Sequence, residues 1–132
     1  HRLPVVVHCA TNDPYVHPFR VETLARLYPH VIFQMAHMGA IWAADAAIAV
    51  AKRNANVYLD TGIASSNAVR RAINEVPDKV IMGADFPFYM YSMEQEKIRR
   101  AFEYSIHHQE PEVLAALMGG NCQRVYGITE NE

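Results

Sequence analysis

The sequence has little of what marks several large classes of protein. Its two cysteines, Cys9 and Cys122, are too few and too far apart for a disulfide framework. Glycine is scarce, and the stretch after the first apolar run, His8-Cys9-Ala10-Thr11-Asn12-Asp13, holds none, so no glycine-rich phosphate loop opens the chain. No segment approaches the roughly 18 apolar residues of a membrane-crossing helix. A formal charge of −2 provides no basic field for nucleic acid. Membrane and nucleic-acid partners are therefore disfavoured. No secretory leader pattern is present, which makes a reducing cytoplasm the expected compartment. The opening His1-Arg2-Leu3-Pro4 has no methionine and enters an apolar run almost at once, the look of an artificial start.

The sequence does have apolar side chains, 51% of 132 residues, enough for one domain with a real core spanning residues 1–132. They are grouped in four short runs, each ending on a polar group: Val5-Val6-Val7-His8, Val31-Ile32-Phe33-Gln34-Met35-Ala36-His37, Val57-Tyr58-Leu59-Asp60 and Lys79-Val80-Ile81-Met82-Gly83-Ala84-Asp85. The polar ends lie 29, 23 and 25 residues apart, the length of one strand-loop-helix unit. The β-branched run Val5 to Val7 shows no alternation, which predicts a strand buried on both faces.

Helical stripes fill the gaps. Val21, Leu24, Ala25 and Tyr28 mark a first helix limited by Pro29, after a polar loop from Thr11 to Pro18. The alanine-rich stretch Trp42 to Arg53 predicts a second. Ser65 or Ser66 offers the N-cap of a third, striped by Val69, Ala72, Ile73 and Val76. Ser92 with Gln95 reads as a capping box for a fourth carrying Ile98, Ala101 and Phe102 inward. Pro111 starts a further helix that Gly119-Gly120 stops, Asn121 caps a last turn through Tyr126, and the segment after Gly127 is expected to fray.

Four successive β-α units imply an α/β fold with parallel strands and right-handed crossovers. An open doubly wound sheet and half of a (β/α)8 barrel both satisfy that pattern. The missing phosphate loop and the polar residues gathered at strand ends favour the half barrel, whose chemistry collects at the carboxyl ends of its strands. Imidazole nitrogen and carboxylate oxygen are the ligand types of zinc and related divalent ions. His8, His37 and Asp85 supply both. A water whose pKa falls toward roughly 7 on such an ion becomes a nucleophile, and a neighbouring imidazole or carboxylate can manage its proton.

The segments Pro4-Val5-Val6-Val7-His8, Ala36-His37-Met38-Gly39, Tyr58-Leu59-Asp60-Thr61, Gly83-Ala84-Asp85-Phe86-Pro87 and Gly119 to Gly127 occur in an order and spacing that resembles a known family. It is the amidohydrolase-related group of metal-dependent enzymes, which includes aminocarboxymuconate-semialdehyde decarboxylase, resorcylate-type decarboxylases and several lactone hydrolases. The resemblance covers nearly all of this chain but only the second half of a family barrel. It implies that His8 ends the fifth barrel strand as a metal ligand. Asp85 would end the eighth as a carboxylate that ligates metal and holds water, and His37 the sixth as general acid/base or second-metal ligand. The family's first strand carries a His-x-His pair that completes the site. No His-x-His occurs here, so the resemblance implies a chain truncated at its amino-terminal side.

The expected activity is hydrolysis of a small carboxylated, lactone or amide substrate through a metal-activated water, with zinc as the expected ion. Non-oxidative decarboxylation in the same family is the alternative, and a non-catalytic barrel used as a binding scaffold is the rival from another class. The expected partners are the small-molecule substrate and either a second copy of the chain or the missing half-barrel, since four strands alone leave two open edges. Bland readings stand beside these. Asp60 is left outside the site because it is as well explained by hydrogen bonds to the backbone around Thr61 and Gly62. Cys9 is expected to pack inertly, Trp42 to pack in the core, and His107-His108 to sit solvated near a helix end. Phe86, Phe88, Tyr89 and Tyr91 line a substrate mouth or pack against helices, with nothing in the sequence to separate the two.

Overall fold

The computed structural model describes residues 3–10 and 14–129. Its strands are β1 (Val5–His8), β2 (Phe33–Ala36), β3 (Val57–Asp60) and β4 (Val80–Ile81), hydrogen-bonded in the order β1-β2-β3-β4 and parallel throughout. Helices α1 (Pro18–Leu27), α2 (Ala44–Arg53), α3 (Ser66–Glu75) and α4 (Tyr91–Glu103) follow the strands in turn, with α5 (Pro111–Ala115) and α6 (Asn121–Tyr126) closing the chain. The fold is four β/α units of a barrel.

The register explains how the two sheet faces divide. Val7, Met35, Leu59 and Val80 are aligned across the sheet, as are Val5, Phe33 and Val57. Most of these side chains belong to the core, packed with Val21 and Ala25 of α1, Ala47 and Ile48 of α2, Val69 and Ile73 of α3 and Ile98 of α4. Because strand side chains alternate, the opposite face carries Val6, Gln34 and Tyr58 in one row, His8 and Ala36 in the next, and Asp60 beside Ile81. This second face is the barrel interior.

Burial of β1 on both faces does not occur: Val5 is 45% and Val6 54% exposed. β1 is an edge strand. Two strands are shorter than their apolar runs. Val31 is drawn into a turn by Tyr28 O, and its own carbonyl accepts from the Asn56 side-chain amide. At the other edge the ladder ends at Ile81, where Thr61 Oγ1 accepts from Gly83 N at 3.2 Å in place of a backbone partner.

The capping box at Ser92 and Gln95 does not form. α4 begins two residues earlier than that box would start it, with Met90 in the capping position and no side-chain cap, and Glu94 lies buried. There Glu94 meets Lys97 at 2.7 Å, and Lys97 Nζ also donates to Thr61 O and Ala64 O, tying α4 to the loop after β3. Ser65 caps α3 by accepting from Ala68 N, and Pro111 opens α5, both as expected. Gly119 breaks the helix as expected, its backbone non-helical (φ 161°, ψ −28°) within the turn Ala116–Gly120, and α6 follows directly at Asn121. Asn121 is no cap: its amide donates to Pro77 O and Val80 O, each at 2.8 Å, and fastens α6 to the foot of β4. The loop expected from Thr11 to Pro18 falls partly on residues outside those described and gives way to α1 at Pro18. The expected fraying after Gly127 falls largely outside them too. Among the described residues no helix is long and apolar enough to cross a membrane.

Two outcomes follow for stability. Lys97→Met leaves the buried Glu94 carboxylate without its cation, and a loss of about 3–5 kcal/mol is expected in urea unfolding of the intact protein, largely recovered when Glu94 is replaced by an apolar residue as well. The second concerns Glu22, which joins α1 to α2 through Arg53 at 2.6 Å. Chiefly because of that guanidinium, its carboxyl falls from an ordinary value of 4.5 to about 2. A depressed carboxyl stabilises the fold fully above its unfolded pKa, so this contribution is lost as pH falls from about 4.5 toward about 2. Glu22→Gln is expected to show a weaker acid dependence of stability over that window.

Candidate active site

The carboxyl ends of the strands carry an unusual backbone. His37 (φ 69°), Met38 (φ 39°), Ala40 (φ 48°), Ile63 (φ 64°) and Asp85 (φ 53°) are non-glycine residues in the left-handed region. Each such residue costs on the order of 1–3 kcal/mol and persists only where its surroundings impose it; for β-branched Ile63 it is a true outlier. All five lie in the loops leaving β2, β3 and β4, and two of them are the expected site residues His37 and Asp85.

His8 and His37 come together. Their ring centroids are 4.9 Å apart with the planes at 75°, His8 exposed on the interior face and His37 buried. His37 Nδ1 lies 3.2 Å from Gly62 O. A carbonyl can only accept, so this contact places the proton on Nδ1 and leaves Nε2 with its lone pair, the arrangement in which a histidine ligates a metal or takes up a proton.

Asp85 is not gathered with the histidines. It lines a shallow cavity of about 400 Å³ with Ile63, Phe88 and Tyr89. Its loop, which contains the cis Phe86-Pro87 peptide, turns so that Phe88 N donates to Asp85 O. Among the described residues no three His, Cys, Asp or Glu side chains are placed to hold a metal ion. The donors here are right in kind for a divalent ion but do not converge in sufficient number, and no step is derived through one.

Asp60, left outside the site by the sequence reading, is the centre of the interior. Its Oδ1 accepts from Gly62 N at 2.8 Å, the backbone contact expected for it, and its Oδ2 accepts from Gln34 Nε2 at 2.9 Å. Gln34 Oε1 in turn accepts from Tyr126 Oη at 2.8 Å, so α6 reaches across the barrel interior. Burial pushes the Asp60 carboxyl above its usual range, while the Gly62 and Gln34 donors and the nearby His37 pull against it. Asp60 also raises the Cys122 thiol and the Tyr126 hydroxyl, in both cases after burial as the larger cause. Glycines flank Asp60 in space, for a Cβ on Gly83 would stand 2.1 Å from Asp60 Oδ2 and one on Gly62 3.0 Å from Oδ1.

Other candidates resolve simply. Cys9 is fully buried and its thiol is raised to about 11 by that burial, which makes it inert. Trp42 is 84% exposed and not in the core, because α2 starts only at Ala44 and leaves it on the rim turn. Phe86 is 65% and Phe88 80% exposed. His107 and His108 are held by Glu110 Oε1 and Ser105 O in the turn after α4.

Gly83→Ala is expected to displace Asp60 and to cost about 1–3 kcal/mol in thermal or urea unfolding, the usual range for an extra methyl in a filled space. Asp60→Ala in the same chain should remove most of that cost.

A family model described as Amidohydrolase matches residues 1–128. No curated protein matches the sequence. Among solved structures the chain is similar to an uncharacterised TIM-barrel protein from Bordetella bronchiseptica, with 20% identity and a TM-score of 0.73 over 94% of this chain and 45% of that one. An amidohydrolase 2 from Bifidobacterium longum subsp. infantis matches at 15% identity and a TM-score of 0.67, over 96% of this chain and 50% of that one. For the 5-carboxyvanillate decarboxylase from Sphingomonas paucimobilis the figures are 22% identity, a TM-score of 0.53, and coverage of 80% and 36%. At these identities the likeness is one of fold, and the chain spans half or less of each of these three structures. Its four parallel strands are a half barrel, and the chain belongs to the amidohydrolase family.

Proposed function

We propose that this chain carries half of the catalytic rim of a metal-dependent hydrolase acting on a small carboxylated, lactone or amide substrate. The observation that supports this most is the His8-His37 pair at the carboxyl ends of adjacent strands, with His37 Nδ1 against Gly62 O and Nε2 not engaged by that contact. In this reading His8 and Asp85 ligate the ion, and the rest of the ligand set comes from a barrel half that this chain does not contain. A zinc ion at such a site supplies Lewis acidity and makes water acidic enough to lose a proton near neutral pH. His37 Nε2 would be the group able to take up a proton there and hand it on, and Trp42, Ile63, Phe86 and Phe88 are exposed on the loops that leave the strands.

Decarboxylation is the second reading, supported by a decarboxylase among the structures of the same fold. In it the same Nε2 would first take up a proton from solvent and then give it to carbon as carbon dioxide departs.

The test is made on the full-length parent protein. About one zinc per chain is expected by elemental analysis, with His8→Ala and Asp85→Ala each lowering occupancy sharply. His37→Asn should keep most of the metal and lose on the order of 10²–10⁴ in turnover. Stoichiometric metal in both ligand variants would remove His8 and Asp85 from the site, and loss of metal from His37→Asn would make His37 a ligand.

A further inference from the structure

The left-handed turn after β2 does not by itself decide which nitrogen of His37 carries its proton. Gly62 O does that, and Gly62 is held in turn by Asp60. We infer that Asp60 is a positioning residue of the site: its carboxylate fixes Gly62, whose carbonyl fixes the His37 tautomer, so that Nε2 is presented unprotonated at the rim. This deepens the functional reading above and rests on it for the use made of Nε2.

The geometry carries the inference in steps. Asp60 Oδ1 takes the Gly62 N–H at 2.8 Å, Gly62 O faces His37 Nδ1 at 3.2 Å, and the missing Cβ of Gly62 would lie 3.5 Å from Asp85 N. Gly62 is therefore the point at which the ends of β2, β3 and β4 meet. A glycine at a loop is mobile unless something holds it, and here the holder is a carboxylate that is itself constrained. Its second oxygen is taken by Gln34 Nε2 at 2.9 Å, and its side chain fits closely into the space that Gly83 leaves open. An ionised carboxylate only accepts, so Gln34 must present its NH₂ to Asp60 and its oxygen to the Tyr126 hydroxyl, as observed. Every member of the line from Tyr126 through Gln34, Asp60 and Gly62 to His37 thus has its donor direction fixed by the anion in the middle. A carboxylate whose only task was to complete a turn at Thr61-Gly62 would need neither the buried Gln34 nor the glycine at position 83.

The experiment is ¹⁵N-histidine NMR of the intact, metal-free protein, with the His37 signals assigned by their loss in His37→Asn. The native protein should show His37 with Nδ1 protonated and Nε2 bare. Asp60→Ala should lose that signature and show a mixed tautomer, while His107 and His108, held elsewhere, keep theirs. Asp60→Asn should retain it, since an asparagine oxygen can still accept from Gly62 N if Gln34 turns over and donates to Tyr126. Where Asp60→Ala does not fold, Asp60→Leu, of similar shape and without an acceptor, takes its place. A native His37 protonated on Nε2, or an unchanged His37 signature in the folded Asp60→Ala or Asp60→Leu protein, would overturn the inference. Because the tautomer is read without metal or substrate, its outcome is independent of zinc stoichiometry and turnover, and either reading can fail while the other stands.

Discussion

Parallel pairing in register is the constraint on which the rest depends. Once Val7, Met35, Leu59 and Val80 are aligned and packed against the helices, side-chain alternation leaves no freedom as to which residues face the other way. A slip of one residue in β2 would turn Gln34 toward the helices and Met35 toward the interior. The outer hydrophobic face therefore specifies the inner polar one. Burial of apolar side chains, the largest favourable term in the fold, places His8, Gln34 and Asp60 together without any attraction among them. The hydrogen bonds among them add orientation to a proximity already fixed.

How much of this was legible in the sequence follows from the range of each interaction. The strands, the helix order and the polar strand ends rest on local periodicity. So do the Ser65 cap and the Pro111 helix start, which formed as read. Several readings failed because a distant partner overrode a local signal. Ser92 and Gln95 have the spacing of a capping box, but Lys97 and Thr61 draw Glu94 inward and shift the start of α4. Asn121 has the chemistry of a cap, yet two carbonyls at the foot of β4, more than 40 residues away, take its amide. Gln34 and Tyr126 are 92 residues apart, and nothing local to either announces the other. Asp60 lay between these cases: its contact to Gly62 was readable, while its contact to Gln34 required the register.

The backbone at the rim shows what holding the site costs. Left-handed His37, Ile63 and Asp85 are each less stable there than glycine would be. Glycine would relieve the strain and lose the side chain. The structure instead compensates with a buried ion pair, as Lys97 binds Thr61 O, Ala64 O and Glu94 at the base of the loop that carries Ile63. Strain at three consecutive strand ends, supported from below by α4 and from within by Asp60, is the pattern expected of side chains whose direction matters more than their comfort.

That division also bears on why membership of the family leaves hydrolysis and decarboxylation so close together. On the inference above the interior line from Tyr126 to His37 leaves Nε2 bare at a fixed place, and such a nitrogen, once it has taken up a proton, can pass it to oxygen, nitrogen or carbon alike. Discrimination must come from whatever holds the scissile group against it. In this chain the candidates are Trp42, Ile63, Phe86 and Phe88, all exposed and all on loops that the core does not specify. In the proposed reading a core under tight register control would position the proton-carrying group. Loops free of it can change the substrate without disturbing a single buried contact, and for this reason fold and family narrow the reaction to a kind of site and go no further.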